Sequence, residues 1–170
     1  IQRTPITYDR LVMGSFILGR KIAAITPGEK TVGVLLPNAT ATAVTIFAVQ
    51  ATGRVPAMLN FSTGAVNMAA ACMAAEVRTI LTSRKFIEAG EMEADLKLLS
   101  ERCKIVYLED LRGGVGSFDK LRGLLQKSVA PRALKNMGAS QDPNSPALIL
   151  FTSGSEGVPK GVVLSHRNIN

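Results

Sequence analysis

Apolar residues along this chain fall into short blocks with two different periods. Residues 31–36, 55–60, 78–82 and 104–108 are brief, β-branched or aliphatic runs, and each is followed by a longer segment with helical spacing. That alternation predicts parallel strands joined by right-handed crossovers, an α/β fold with a layered, mostly parallel sheet and flanking helices. The run Val32-Gly33-Val34-Leu35-Leu36 is apolar nearly throughout, as a strand covered on both faces should be. Pro37 then stops the ladder, and Asn38 is placed to cap the next helix.

Four helical segments follow from the same pattern. Residues 8–25 carry Leu11, Val12, Phe16, Ile17 and Ile22 close to helical spacing, which predicts an opening helix packed on the sheet. Residues 41–52 are rich in Ala and Val, predicting a deeply buried helix that stops at Gly53. Residues 63–75 are Ala-rich, and Met68 and Met73 there read as packing residues. Residues 84–100 mix Phe86, Leu96 and Leu99 with charges, predicting one partly exposed helix. Periodicity is lost over residues 128–146, where Pro131, Gly138, Pro143, Asn144 and Pro146 gather. The expected organisation is an α/β subdomain over 1–130, a connection over 131–146, and a strand-loop-strand over 147–170 that belongs to an incomplete domain. The strand opening that last part, Ala147-Leu148-Ile149-Leu150-Phe151, is expected to be buried.

Composition narrows the function classes. Hydrophobic residues make up 46% and charged residues 19% of 170, which fits a globular interior and excludes a low-complexity tract. The formal net charge is +7, yet Lys and Arg are scattered, Trp is absent and only two Tyr are present, so nucleic acid is not an expected partner. The most apolar stretch, 39–49, ends at Gln50 and Arg54, short of the roughly 20 residues that span a bilayer. No secretory signal opens the sequence, and Ile1 reads as a start inside a longer polypeptide. Cys72 and Cys103 have no nearby Cys or His and read as two buried, reduced thiols, with no metal site. Gly113-Gly114-Val115-Gly116 lacks dinucleotide-fingerprint spacing and reads as a connection.

The chemistry concentrates after the last apolar strand. Thr152-Ser153-Gly154-Ser155-Glu156-Gly157-Val158-Pro159-Lys160-Gly161 holds three hydroxyls, three glycines and one lysine in ten positions. Glycines let backbone N–H groups converge on an anion, hydroxyls add donors, and Lys160 adds a charge on a long reach. The P-loop of NTPases is excluded, because Pro159 stands where its second glycine is required and Gly161 follows Lys160. Gly161-Val162-Val163-Leu164 reads as a strand, so the anion trap is not a helix N-terminus.

The segment from Leu150 to Val163 resembles the phosphate loop of the adenylate-forming superfamily, which includes acyl-CoA synthetases, luciferases and peptide-synthetase adenylation domains. Glu156 departs from the usual Thr. The Ser155-Glu156-Gly157 variant is similar to the acyl-ACP synthetase half of bacterial bifunctional enzymes that also carry a 2-acylglycerophosphoethanolamine acyltransferase. Leu36-Pro37-Asn38-Ala39-Thr40, Leu81-Thr82-Ser83-Arg84-Lys85-Phe86 and Val106-Tyr107-Leu108-Glu109-Asp110-Leu111 extend that likeness over nearly the whole chain. A Glu156 carboxylate about 4 Å from a phosphate charge would cost on the order of 4 kcal/mol at an effective dielectric of 20. It must point away or be offset by Lys160 or by magnesium shared with the phosphates.

The resemblance implies ATP and Mg2+ as cofactors, with a fatty acid and acyl carrier protein as partners. It further implies acyl-adenylate formation followed by thioester formation, and a cytoplasmic-face location with any attachment to the bacterial inner membrane lying outside this chain. Thr152, Ser153, Gly154, Ser155, Glu156, Gly157 and Lys160 are the expected nucleotide-binding residues, with Lys160 the expected catalytic cation. Ser165-His166-Arg167-Asn168 resembles the family segment that leads into a helix, and His166 is expected to be structural or capping. The adenine pocket, the magnesium acid, the ribose aspartate and the lid lysine of the family all follow the position of Asn170, and any acyltransferase domain would precede Ile1. These residues alone are therefore expected to be inactive. Two alternatives stay open: another carboxylate–thiol ligase such as an acyl-CoA synthetase, and a non-catalytic module of the same fold.

Overall fold

The computed structural model describes residues 5–113, 130–152 and 159–169. Helix α1 (Tyr8–Ile25) begins where Thr7 accepts the Arg10 N–H. Strand β1 (Thr31–Val34), helix α2 (Thr40–Ala51) and strand β2 (Val55–Met58) follow. A 3-10 turn (Phe61–Thr63) leads into α3 (Gly64–Ala74), then β3 (Thr79–Thr82), α4 (Arg84–Ala89), α5 (Glu93–Ser100), β4 (Lys104–Tyr107) and α6 (Leu108–Gly113). After residues 114–129 come α7 (Ala130–Met137), β5 (Pro146–Thr152), β6 (Lys160–Ser165) and α8 (His166–Ile169).

One sheet runs in the order β4-β3-β1-β2-β5-β6, parallel except for the final β5–β6 pair. Side chains that alternate along a strand divide between its faces. Val32, Val34, Leu81 and Val106 join Ile22 of α1 and Ala48 and Val49 of α2 in one core. Leu35, Ala57, Ile80 and Ile149 join Met68, Ala71 and Cys72 of α3 and Leu96 and Leu99 of α5 in the other. The near-continuous apolar runs of the central strands thus reflect helices on both faces, as the α/β pattern predicts.

Several local expectations change. Ala39, not Asn38, is the N-cap of α2 and it makes no side-chain capping bond; the Thr42 hydroxyl instead donates back to the Pro37 carbonyl. The segment 84–100 is two helices, because the chain turns at Gly90 and Glu91, and Glu91 adopts a φ of 50° that interrupts helical bonding. Helix α7 lies within the stretch expected to be a connection. Pro131 falls in its first turn, where a missing N–H costs no helical bond. Met68 is buried as expected, whereas Met73 is 62% exposed on the outer side of α3. Strand β5 is buried only at Ala147 and Ile149, and Leu150 is half-exposed, so the expectation of a fully buried strand fails on the face opposite the core.

The ends of α1 and α2 are latched together. The partly buried Arg54 guanidinium donates to Thr52 O at 3.0 Å, Thr26 O at 2.8 Å and Ala23 O at 3.4 Å. Helix C-termini leave carbonyls without intrahelical partners, and one fork of donors serves both ends. Among the described residues, no helix is long and apolar enough to cross a membrane.

Candidate functional site

Strands β5 and β6 form an antiparallel hairpin whose last rung pairs Thr152 with Lys160. The two strands flank residues 153–158, the segment expected to form the loop. Both rung residues are exposed at the mouth of the loop. Ser153, Gly154, Ser155, Glu156 and Gly157 lie outside the described residues. Antiparallel pairing fixes the two ends of the loop a strand spacing apart, roughly 5 Å. The Thr152 hydroxyl and the Lys160 ammonium are thus attached to opposite sides of one opening.

That opening sits at the carboxyl end of the parallel strands, where the loop after β2 also emerges. Phe151, Thr152 and Pro159 line a cavity of about 440 Å³ together with Asn60, Asn67 and Met68. The opposite wall is local turn chemistry. Asn60 Oδ1 accepts from Ser62 N at 3.1 Å and Ser62 Oγ at 2.8 Å, while Thr63 Oγ1 donates to Asn60 O at 2.7 Å. Asn67 Nδ2 donates to Thr63 O at 2.8 Å. These bonds aim the start of α3 at the cavity, and its first turn has no acidic residue. A helix start carries positive partial charge, so this wall is compatible with an anion. Neither Asn60 nor Asn67 was legible as a site residue. The signal available was Asn60-Phe61-Ser62-Thr63-Gly64 directly after a strand, a turn at the carboxyl edge of a sheet where ligands of α/β folds bind.

The charged cluster at the neighbouring strand ends is paired internally except at Glu109 Oε2, which is buried without a hydrogen-bond partner. Arg84 forks onto Asp110 with two bonds of 2.8 Å and stands 4.1 Å over the Tyr107 ring. Its hydrogen bond holds the Asp110 carboxyl below the usual range and raises the Arg84 guanidinium in return. Glu109 Oε1 accepts from Ser83 Oγ at 2.7 Å and Arg84 N at 3.1 Å. Burial pushes the Glu109 carboxyl up, but these bonds, its own backbone N–H and the Arg84 charge leave it below its ordinary value. The cluster ties the start of α4 to α6.

His166 opens α8 and faces away from the loop cavity, into an apolar groove shared with Tyr8, Phe16, Phe47 and Leu134. The capping there belongs to its neighbours: Asn168 Oδ1 accepts from Ser165 N at 2.9 Å and from Ser165 Oγ at 2.8 Å. Among the described residues, no group of three His, Cys, Asp or Glu side chains could hold a metal ion.

Comparison with known proteins places the chain. The AMP-binding enzyme family matches residues 3–170. Sulfoacetate–CoA ligase of Cupriavidus necator is 28% identical over 178 residues, covering 96% of this chain and 30% of that protein. Nonribosomal peptide synthetase 1 of Ajellomyces capsulatus is 43% identical over 82 residues, covering 47% of this chain and 4% of that protein. The structure of Bacillus subtilis o-succinylbenzoate coenzyme A synthetase in complex with AMP superposes with a TM-score of 0.70 at 16% identity, covering 97% of this chain and 37% of that one. That last likeness is one of fold. The chain thus spans a minor part of the length of each of these proteins.

Proposed function

The chain belongs to the AMP-binding enzyme family, and on that footing we propose that it is the phosphate-gripping portion of an ATP-dependent fatty acid–acyl carrier protein ligase. The observation that carries the proposal is the Thr152–Lys160 rung, which closes a Ser- and Gly-rich loop beside a cavity at the carboxyl edge of a parallel sheet. The acid and the acceptor rest on the Ser155-Glu156-Gly157 variant and on the segments around Pro37, Ser83 and Glu109, which resemble acyl-ACP synthetases.

In the proposed reaction, a fatty-acid carboxylate oxygen attacks the α-phosphorus of ATP. The bond from that phosphorus to the bridging oxygen breaks, releasing pyrophosphate and leaving an acyl-adenylate. A carrier thiol then displaces AMP to give the thioester. The residues of this chain act on the leaving pyrophosphate. Thr152, Ser153 and Ser155 donate through hydroxyls, Gly154 and Gly157 through backbone N–H groups, and Lys160 follows the β- and γ-phosphates as their charge grows. Such preorganised donors stabilise the charge that develops in the transition state. Glu156 points away from the phosphates or is offset by Lys160, or by a magnesium ion that would be shared with the phosphates. Adenine and ribose recognition, the lid and the choice of acid are assigned to sequence outside these 170 residues, so the chain by itself is inactive and binds ATP weakly.

The test is pyrophosphate release by the full-length protein with fatty acid and acyl carrier protein. Lys160→Ala is expected to lower kcat by about 10²-fold, the scale of one lost transition-state donor. Undiminished turnover in that variant would remove the role assigned to Lys160. Thioester formation on coenzyme A in preference to the carrier protein, or activation of an amino acid instead of a fatty acid, would overturn the assignment of substrates while leaving the loop's role intact.

A further inference from the structure

At the other edge of the sheet, away from the loop, the last turn of α3 meets the segment that enters β4. A cavity of about 510 Å³ opens there, lined by Cys72, Cys103, Met73, Glu76, Arg78 and Arg102. The two cysteines come from distant parts of the chain and are both free and buried. Both thiols belong to one core cluster and are joined through Val77, whose N–H donates to Cys72 O at 2.8 Å and whose carbonyl accepts from the Cys103 thiol at 3.4 Å. Nothing in the proposed ligase chemistry uses either sulfur. Two adjacent thiols that share a solvent-reaching cavity with two guanidinium groups form a nucleophilic pair, whereas an isolated core cysteine is inert packing.

The surroundings make the two sulfurs unequal. Cys103 receives the Cys72 S–H bond and feels the Arg102 charge, which together outweigh burial and the opposing Glu29 carboxylate, so its thiol lies below the ordinary value. Cys72 is pushed well above its ordinary value, first by its bond to Cys103 and then by burial. Arg102 is itself held at the cavity by a 3.3 Å contact from Nη1 to Met73 Sδ.

We propose that Cys72 and Cys103 form an oxidisable dithiol site, in which a small peroxide entering the cavity oxidises Cys103 and Cys72 then closes a disulfide between α3 and the approach to β4. In the first step the Cys103 thiolate attacks one peroxide oxygen. The O–O bond breaks, Cys103 becomes a sulfenic acid, and the departing hydroxide takes up a proton to leave as water. In the second, the Cys72 sulfur attacks the Cys103 sulfur and the S–O bond breaks. The hydroxyl carries away the Cys72 proton as water. The two thiols lose two electrons in total and the peroxide gains them. The finished bond would hold the two sulfurs roughly 2 Å apart.

The experiment is hydrogen peroxide treatment of the purified native protein, followed by non-reducing peptide mapping. The expected result is a Cys72–Cys103 linked peptide within one molecule, reversed by dithiothreitol. Cys72→Ser is expected to strand Cys103 as a sulfenic acid that dimedone captures. Cys103→Ser is expected to slow oxidation of Cys72 by about 10-fold or more, since the activated thiol is gone. Wild-type protein serves as its own control against misfolded variants. If its cysteines react only at urea concentrations that unfold it, or if the peroxide yields intermolecular disulfides or irreversible oxygen addition in place of the internal link, the proposal is overturned.

Discussion

Replacing Gly53 with alanine tests how closely the carboxyl ends of α2 and α7 meet. Gly53 has a φ of +70°, and an added Cβ would fall inside the Gly138 carbonyl oxygen and 3.1 Å from its carbonyl carbon. Gly28 provides the control, since its φ is +72° and nothing lies within 4 Å of its virtual Cβ. Both substitutions force alanine into the left-handed region, at about 1–2 kcal/mol. At Gly53 the obstacle is backbone, which no side-chain rotation relieves, and the displacement adds about 1–3 kcal/mol, the usual scale of overpacking. The expected losses are therefore about 1–2 kcal/mol for Gly28→Ala and about 2–5 kcal/mol for Gly53→Ala. Equilibrium urea unfolding reads both, with the midpoint falling and the slope m unchanged. Equal losses at the two glycines would refute the reasoning, because conformational strain alone would then account for both.

Two further outcomes follow from the hydrogen-bond geometry. Arg54→Met strips donors from Thr52 O, Thr26 O and Ala23 O and should cost about 1–3 kcal/mol in the same assay, with Arg54→Lys recovering only part because a single ammonium nitrogen does not span the acceptors that the two guanidinium nitrogens reach. Glu109 is held ionised by Ser83, its own N–H and Arg84, so its folded value lies below its unfolded one; the stability it contributes is present above the unfolded carboxyl range and is lost as pH falls through the folded value. A stability difference between wild type and Glu109→Gln at neutral pH should accordingly shrink in acid titrated below about pH 4, and a difference that persists there would count against the assignment.

The strand and helix sequence was legible because both faces of the sheet are covered. Val32-Gly33-Val34 could only be a central strand, and the Ala-rich segments could only be helices pressed on it. What escaped is governed by single backbone angles and by pairing partners. Glu91 breaks one predicted helix in two through a positive φ, which nothing in the apolar period of residues 84–100 announces. Helix α7 was masked by Pro131 and by its short length. In β5 the apolar run from Ala147 to Phe151 looked fully buried, but the exposure of Leu150 depends on what covers the sheet there, which is a tertiary matter. The loop is proposed from composition and spacing, and residues 153–158 lie outside the described ones. Its opposite wall was not, because Asn60 and Asn67 reach the cavity only through the side-by-side placement of β2 and β5, two strands far apart in the chain.

The attachment of the loop-bearing hairpin sets what can move it. Strand β5 is registered with β2 through Ala57 and Ile149, and the Gln50 side chain adds a bond of 2.8 Å to Ala147 O across 97 positions of sequence. Gln50 stands in the last turn of α2, the helix that Arg54 fastens to α1. The orientation of the Thr152–Lys160 opening is thereby referred back to the first third of the chain. On the phosphate-binding role proposed for the loop, a library of substitutions selected on nucleotide binding should enrich positions in α1 and α2 that never approach a phosphate, acting as a distant rudder on the loop.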